Sequence, residues 1–477
     1  MLFNSSEFIL IFLPVVLIVY FSLNKLRLIK IASAWLVMAS LYFYSAWNIN
    51  FLPIIITSIL FNYSIGTTLT GGFKFKVNKN MLLAFGIVGN LLILGYYKYF
   101  NFLIENINAV FHQNFNYMNI IMPLAISFFT FQQIAYLVDS YNQKTKDYDF
   151  LNYALFVTFF PKLMQGPITR AEEIMPQLYS LKTKVLNWKN LSLGLFMFSV
   201  GLFKKVVFAD MLSKWVMYGY SNIDVITTLE SWITVLSYTF QIYFDFSGYT
   251  DMALGIGLMF NVIIPQNFNN PYIALDIQDF WRRWHMTLSR CLKDYVYIPL
   301  GGNRKGTFRT YLNVFWVFLI CGIWHGASWT YIIWGIMHGI ASIINRLYKL
   351  LNFELPKAVS WCITFIFVCF SWIYFSAPNI ATANKLALKC LNFSNFAIPK
   401  IYGFDMRFRE VGTTWEIFPL IVLPLMIIFI FCNFFRDKLK NFKPVMAYAI
   451  YIVVMLLVSF YQILKPDYSS SFIYFQF

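Results

Sequence analysis

The sequence predicts an all-α polytopic membrane protein, and three observations lead to this class. Of the 477 residues, 59% are hydrophobic and 12% are charged, whereas soluble chains of this size carry about 25% charged residues. Apolar runs of about 17–25 residues, the length that crosses a hydrocarbon core, recur throughout the chain. Aromatic residues make up 21%, with 53 phenylalanines. These numbers argue against a water-soluble enzyme.

The apolar runs define about 11–13 spans, taken in windows of about 19 residues. The run that starts at Phe8 has no basic residue before it and no cleavage site after it, so we expect it to remain as the first span rather than to act as a signal peptide. The segment 151–164 ends in a stretch with two prolines and a glycine and is predicted to be re-entrant. The candidate spans are 7–23, 31–47, 51–69, 81–98, 119–138, 191–208, 230–248, 310–325, 329–346, 358–376, 416–434 and 445–463.

The charge distribution predicts the orientation. The net charge of +16 would suggest a nucleic-acid partner in a soluble chain, but here the basic residues lie in short loops between apolar runs. An N-terminus outside the cell places most of the 37 Lys and Arg residues in inner loops, as the positive-inside rule requires. The C-terminus then also lies outside, and the longest outer loop is 377–414. We therefore expect a multi-pass protein of a bacterial cell membrane that contacts lipid and binds no nucleic acid.

The chain shows no internal repeat and no linker, so one membrane domain over 1–477 is expected. The six cysteines are scattered, five in apolar or amphipathic stretches and Cys390 in a predicted loop, without a C-x-x-C pair. We expect neither a disulfide framework nor a metal site.

Three of the four histidines fall in one central block, and the fourth, His112, lies in a polar outer loop. His325 lies at the end of an apolar run, where desolvation favours the neutral imidazole that accepts a proton. It is a candidate general base, and the alternative is a packed histidine whose nitrogens are satisfied by neighbours. His338, on the next span, is interpreted as structural.

The segment 279–290 has helical periodicity, which places His285 on an apolar face with Trp281 and Trp284. An interfacial helix with tryptophan anchors would explain the arginines of this segment but leaves His285 unexplained. A basic, turn-rich loop follows at 297–306 and is a candidate site for the phosphates of an anionic cofactor. The candidate cofactor-binding residues are Arg282, Arg283, Arg304 and Lys305.

Two further segments place polar side chains inside apolar spans. Gln132 and Tyr136 form an i, i+4 stripe, and Asp245 and Asp251 lie near the end of a span. Such groups face a cavity or one another rather than lipid. Hydrogen bonding between helices and lining of a reaction chamber are equally consistent with them.

Several motifs resemble the membrane-bound O-acyltransferase (MBOAT) family, and within it the alginate O-acetyltransferase membrane-subunit group. The resemblance extends from Met1 to the last residue. The motifs that carry it are Ser127-Phe128-Phe129-Thr130-Phe131-Gln132, Gln165-Gly166-Pro167-Ile168, Pro265-Gln266-Asn267-Phe268, Phe280-Trp281-Arg282-Arg283-Trp284-His285, Pro299-Leu300-Gly301-Gly302-Asn303 and Trp324-His325-Gly326.

The resemblance implies a helical bundle with re-entrant and interfacial helices around a central funnel. The candidate funnel-lining residues are Gln132, Tyr136, Asp245, Asp251 and Trp324. It implies that an acyl group passes from an inner-face thioester, here acetyl coenzyme A, to an extracytoplasmic hydroxyl. His325 matches the invariant family histidine and would accept the proton of the attacking hydroxyl. His285 matches the second motif histidine and would orient the donor or polarise its carbonyl.

The segment 465–477 is predicted to be an extracytoplasmic aromatic tail. It resembles terminal motifs of this family in which a tyrosine is a proposed acyl carrier, which makes Tyr474 a candidate nucleophile activated by His325. The alternative is an aromatic anchor at the membrane interface.

We therefore expect an O-acetyltransferase subunit for a cell-surface polysaccharide, either an exopolysaccharide or peptidoglycan. It would work with an extracytoplasmic transferase of the SGNH type and with polysaccharide-synthesis machinery. Two alternatives stay open: D-alanyl transfer to teichoic acid, and a transporter of lipid-linked sugars or small anions.

Overall fold

The computed structural model describes residues 1–73, 77–145, 148–395, 442–443, 445–465 and 472–473. Helices form the regular structure of these residues, and no strand occurs among them. The α-helices are α1 Leu13–Lys25, α2 Ile29–Ser45, α3 Leu52–Thr70, α4 Lys79–Leu94, α5 Phe100–Phe111, α6 Ile126–Tyr141, α7 Phe150–Thr158, α8 Phe160–Leu163, α9 Ala171–Tyr179, α10 Trp188–Phe203, α11 Asp210–Ser221, α12 Thr228–Met259, α13 Ile277–Arg283, α14 Met286–Leu292, α15 Thr307–His325, α16 Trp329–Lys349, α17 Lys357–Ser376, α18 Ile380–Leu391 and α19 Met446–Ile463.

Seven helical stretches in this part of the chain are long and apolar enough to cross a membrane. Two of them are continuous across short π-helical segments, which join α4 to α5 and α10 to α11. The all-α polytopic fold class is therefore confirmed. The seven stretches are Phe8–Lys25, Ile49–Thr70, Lys79–Phe111, Trp188–Ser221, Thr307–His325, Lys357–Ser376 and Met446–Ile463.

Several predicted boundaries differ from the structure. The helix expected at 119–138 begins only at Ile126, because Ala125 before it has a left-handed backbone with φ 61°. The span expected at 230–248 continues as α12 to Met259, so the predicted inner loop begins eleven residues too early. Cys390 lies buried in α18 and not in a loop, since an amphipathic helix occupies part of the predicted loop 377–414. The predicted span 416–434 lies outside the described residues.

The predicted re-entrant segment is two helices. Helix α7 ends before Phe159, whose backbone leaves the helical region, and the single turn α8 follows with Pro161 in its first turn. Proline is compatible with the first turn of a helix, where its missing N–H would be unpaired anyway. The chain then turns tightly at Gly166, where a Cβ atom would lie 2.4 Å from the Cα atom of Lys162.

The chain divides into two compact units, and the prediction of a single domain remains a prediction. The first unit comprises Met1–Leu202, Tyr249–Gln266 and Lys443–Ile463, and the second comprises Phe203–Gly248, Asn267–Phe442 and Leu464–Phe477.

Close backbone contacts and amide hydrogen bonds join the helices of the first unit. Gly194 on α10 and Gly255 on α12 pack so closely that a Cβ atom on either would lie 2.5–2.6 Å from the other's carbonyl oxygen. Asn62 and Asn90 join α3 to α4 through two reciprocal amide hydrogen bonds of 3.1 and 2.7 Å. Buried amides that satisfy each other in this way avoid the cost of an unpaired polar group.

In the second unit, α15 and α16 form a tight helical hairpin. Gly322 and Gly335 allow the two backbones to meet, since a Cβ atom on Gly322 would lie 2.4 Å from the Tyr331 carbonyl oxygen. The turn between the helices is capped by Ser328, whose hydroxyl accepts the Thr330 backbone N–H at 3.3 Å. This hairpin determines where the end of α15 lies within the unit.

Candidate active site

His325 is the last residue of α15 and is 3% exposed. Its ring lies among aromatic rings, with centroid distances of 5.0 Å to Trp324, 5.2 Å to Trp334 and 5.0 Å to Phe375. Gly326 follows in extended conformation, and a Cβ atom there would lie 2.1 Å from the Tyr331 ring. Only glycine therefore leaves room for the chain to turn directly after the histidine.

His285 lies between two short helices and not within one. Its backbone is left-handed, with φ 42°, and Trp284 before it is extended, so α13 ends at Arg283 and α14 begins at Met286. The continuous helix predicted over 279–290 is therefore wrong. The periodic residues are nevertheless buried, with Trp281 8% and Leu288 0% exposed, because two short helices bury the same apolar positions.

The His285 side chain is fully buried, and its orientation is set by Asn267. The Asn267 Oδ1 atom lies 3.0 Å from His285 Nδ1, and it also accepts the backbone N–H of Thr287 at 3.2 Å and the Thr287 hydroxyl at 2.9 Å. A backbone N–H is always a donor, so the Asn267 atom facing it is the oxygen. An amide oxygen cannot donate, and His285 Nδ1 therefore carries the ring proton.

The Nε2 atom of His285 consequently presents a lone pair. Among the residues that the structure describes, it has no hydrogen-bond partner. Burial lowers the pKa of His285 to about 3, so the ring is neutral at physiological pH. A buried, neutral and unpartnered nitrogen of this kind accepts a hydrogen bond or a proton from a bound molecule. It cannot donate a hydrogen bond to a carbonyl oxygen.

Trp324 contacts both candidate histidines. Its ring centroid lies 5.0 Å from that of His325 and 6.3 Å from that of His285. Phe246 of α12 also contacts His285, with an edge contact at 4.8 Å. The second unit thus places the two predicted catalytic histidines around one buried tryptophan.

His338 is different, because both of its nitrogens are satisfied. Trp281 Nε1 donates to His338 Nδ1 at 3.2 Å, so Nε2 carries the proton and donates to the Ser371 hydroxyl at 3.0 Å. The hydroxyl in turn donates to the Val368 carbonyl at 2.7 Å. This complete chain of hydrogen bonds agrees with the structural interpretation of His338.

The predicted cofactor-binding residues lie in two places in the second unit. Arg283 is half-buried, and its guanidinium donates to Asp279 at 2.9 Å and to the Asn269 carbonyl at 3.4 Å. Arg282, Arg304 and Lys305 are exposed. The three exposed side chains are accessible to an anionic ligand, whereas Arg283 already has partners.

The loop that carries Arg304 and Lys305 has a defined turn. Gly301 and Gly302 adopt left-handed conformations with φ 106° and 56°, which glycine adopts without steric cost. The Asn313 amide of α15 donates to the Gly302 carbonyl at 2.9 Å. The basic loop is therefore attached to the same helix that ends in His325.

Three of the predicted funnel-lining residues belong to the first unit. Gln132 of α6 donates to the Phe156 carbonyl at 3.3 Å, which is a hydrogen bond between helices. Tyr136 packs over Gly66, where a Cβ atom would lie 2.3 Å from its ring. Asp251 lies on α12 and is half-buried. These contacts favour helix packing for Gln132 and Tyr136, and their funnel-lining role remains a prediction.

Asp245 belongs to the second unit and is 1% exposed. Its Oδ1 atom lies 2.5 Å from Lys205 Nζ, and its Oδ2 atom accepts the backbone N–H of Ile473 at 2.8 Å. The predicted carrier Tyr474 lies outside the described residues.

Sequence reasoning missed Asn267, Phe246 and Phe375 as neighbours of the histidines. Asn267 lies in a polar stretch, Gln266-Asn267-Phe268-Asn269-Asn270, between apolar segments. That stretch was a signal for a buried amide, although nothing in it identified His285 as the partner. Phe246 and Phe375 belong to ordinary apolar runs and carried no such signal.

Comparisons with known proteins show the family of the chain. The model of the membrane-bound O-acyltransferase family matches residues 138–383. The chain is 45% identical over 416 residues to a peptidoglycan O-acetyltransferase of Helicobacter pylori, covering 81% of this chain and 79% of that protein. It is 34% identical over 453 residues to a probable alginate O-acetylase AlgI of Pseudomonas putida, covering 93% and 89%.

A teichoic acid D-alanyltransferase of Bacillus subtilis is more distant, at 27% identity over 274 residues, with 54% of this chain and 69% of that protein covered. The family model spans both His285 and His325. Given a matched family domain and relatives aligned over most of its length, the chain belongs to the membrane-bound O-acyltransferase family and is an acyltransferase.

Proposed function

We propose that this protein transfers acetyl groups from acetyl coenzyme A, bound at the inner face of the bacterial cell membrane, to hydroxyl groups of a cell-surface polysaccharide. The relatives named for O-acetylation of peptidoglycan and alginate support the acetyl group and the class of acceptor. The identity of 45% to the peptidoglycan enzyme makes peptidoglycan the first acceptor to test. The lower identity and coverage of the D-alanyltransferase give less support to alanyl transfer.

The observation that carries this proposal is the buried Nε2 atom of His285, which has no hydrogen-bond partner among the described residues. The His285 ring contacts Trp324, which also contacts His325. Acyl transfer to a hydroxyl needs a group that takes the hydroxyl proton as the new bond forms. In our proposal His325 is this base. His285 accepts a hydrogen bond from an O–H or N–H of a bound substrate, and so orients it. The alternative role of polarising the thioester carbonyl needs a donor, which its tautomer does not provide.

The donor binds through its phosphates. Arg282, Arg304 and Lys305 are exposed side chains at the face that the positive-inside rule assigns to the cytoplasm. Their charges would attract a polyanion such as coenzyme A. The thioester arm would then extend from this basic loop along α15 towards His325.

The acetyl group is carried by Tyr474 in a covalent relay. The phenol oxygen attacks the thioester carbonyl, its proton passes to His325, the C–S bond breaks, and coenzyme A leaves as the thiol with that proton. A second hydroxyl, of the polysaccharide or of an extracytoplasmic SGNH-type transferase that acts in polysaccharide synthesis, then attacks the ester and releases the phenol. Both steps are acyl exchanges, so they need no oxidant or reductant.

The experiment is incubation of the purified protein with isotopically labelled acetyl coenzyme A, followed by peptide mass spectrometry. The wild type, His325→Ala, Tyr474→Phe and the control Tyr468→Phe are compared. We expect label on Tyr474 in the wild type and in Tyr468→Phe, and in neither of the other variants. Label that persists at wild-type level in His325→Ala contradicts the role of the base. A wild type without label contradicts the relay.

A further inference from the structure

A cluster of buried charges in the second unit contacts the segment that precedes Tyr474. Lys205 is 2% exposed, and its ammonium pairs with Asp245 at 2.5 Å and with Asp210 at 2.8 Å. Buried ions are stable only when each is paired and hydrogen-bonded. We call Lys205, Asp210 and Asp245 the charged socket.

Phe472 and Ile473 each contact a residue of the charged socket. Phe472 is fully buried, and the ammonium of Lys205 lies 4.7 Å from the centroid of its ring. The backbone N–H of Ile473 donates to Asp245 Oδ2 at 2.8 Å. The Asp245 carboxylate therefore binds the Lys205 ammonium with Oδ1 and the Ile473 backbone N–H with Oδ2. The position of the Ile473 amide thus depends on Asp245.

The charged socket is close to the histidines along α12. Phe246, the residue after Asp245, contacts the His285 ring at 4.8 Å. His285 in turn contacts Trp324, which contacts His325. The anchor of the segment and the candidate base are thus linked by a short series of contacts within one compact unit. An aromatic anchor in the membrane interface would need neither a buried ion pair nor a backbone hydrogen bond.

We propose that Asp245 is a positioning residue for acyl transfer. By accepting the Ile473 backbone N–H, Asp245 fixes the register of residues 472 and 473, from which the chain continues to Tyr474. The inference rests on the proposed function, in which Tyr474 carries the acetyl group. It assigns Asp245 a role distinct from the funnel lining that the sequence suggested, because its carboxylate binds the chain itself.

The first test is independent of catalysis. Hydrogen–deuterium exchange is followed by mass spectrometry on the full-length protein in detergent, in peptides that contain residues 472 and 473. We expect Asp245→Ala to accelerate exchange there by at least about tenfold, because the acceptor of the amide is lost. Asp210→Asn is the matched control, since Asp210 pairs with the same lysine, whereas the Ile473 backbone N–H is accepted by Asp245. Equal exchange in wild type and Asp245→Ala overturns the inference.

The second test uses the labelling reaction. Ile473→Pro removes the backbone N–H of residue 473 and leaves the three side chains of the charged socket in place, whereas Ile473→Val retains this N–H. We expect label on Tyr474 to fall at least about tenfold in Ile473→Pro and Asp245→Ala, and to stay near wild type in Ile473→Val. Wild-type labelling in Ile473→Pro overturns the positioning role.

The exchange test and the labelling test distinguish the anchoring of Ile473 by Asp245 from the acetyl relay through Tyr474. A wild type that carries no label refutes the relay and the positioning role with it, while the exchange data still establish or reject the anchoring by Asp245. If Asp245→Ala also accelerates exchange in α15 and α16, the variant is misfolded, and the comparison of Ile473→Pro with Ile473→Val decides the matter.

Discussion

Replacing Asn267 by alanine should impair both folding and catalysis. The substitution removes the one acceptor for Thr287 N–H, the Thr287 hydroxyl and His285 Nδ1–H, which lie 3.2, 2.9 and 3.0 Å from it. At about 1 kcal/mol for each buried hydrogen bond, the loss is about 3 kcal/mol. For a unit of this size that corresponds to a fall in melting temperature of about 6–12 °C.

Thr287→Val is the matched control, because it removes only one of these hydrogen bonds and should cost about 1 kcal/mol. The two variants should differ more in catalysis than in stability. Without Asn267 the His285 ring takes either tautomer, and we expect acetyl transfer to fall on the order of 10²-fold. With Thr287→Val the Nδ1 proton stays in place, and transfer should change little. Equal transfer rates in the two variants would refute the tautomer argument.

Three further predictions concern packing, donor binding and pH. Gly326→Ala places a Cβ atom 2.1 Å from the Tyr331 ring and should destabilise the protein by about 1–3 kcal/mol, measured by thermal unfolding, with recovery in the double variant with Tyr331→Ser. Replacing Arg304 and Lys305 by glutamine should raise the KM for acetyl coenzyme A at low salt and leave kcat unchanged. The increase in KM should shrink at high salt, which screens the charges. Lys385→Gln, in the predicted outer loop, serves as the control. Burial lowers the pKa of His285 to about 3 from its ordinary value of 6.5, so the unfolded chain binds a proton that the folded chain does not. This contribution lowers stability as pH falls from about 6 towards 3, by up to about 1.4 kcal/mol per pH unit. Unfolding midpoints measured across this range should show a smaller slope in His285→Asn.

The sequence predicted the fold class and most of the spans, because a run of about 20 apolar residues is a long and redundant signal. The catalytic roles of His325 and His285 stay predictions, and the structure adds that both rings contact Trp324. The local geometry of His285 was beyond it. Trp281 and Leu288 are buried in either arrangement, so the apolar period cannot distinguish one helix from two short ones with a break between them.

Contacts distant in sequence were equally inaccessible. Asn267 precedes His285 by eighteen residues, and Asp245 contacts Ile473 across 228 residues. Hydrophobic periodicity and helix propensity describe neighbours along one helix, whereas these two contacts depend on how different segments pack together. The carboxylate of Asp245 was therefore recognised as a buried polar group without its partner.

At position 285 the demands of folding and of chemistry conflict, because the left-handed backbone is unfavourable for the histidine that the chemistry requires. Glycine would adopt this conformation freely and asparagine tolerates it, whereas histidine with its Cβ atom pays about 1–2 kcal/mol of strain. A selection that rewards expression or heat resistance alone would favour residues that remove the imidazole. At position 285, a more abundant variant should therefore be suspected of lower activity, and stabilised libraries need to be screened by acetyl transfer rather than by yield.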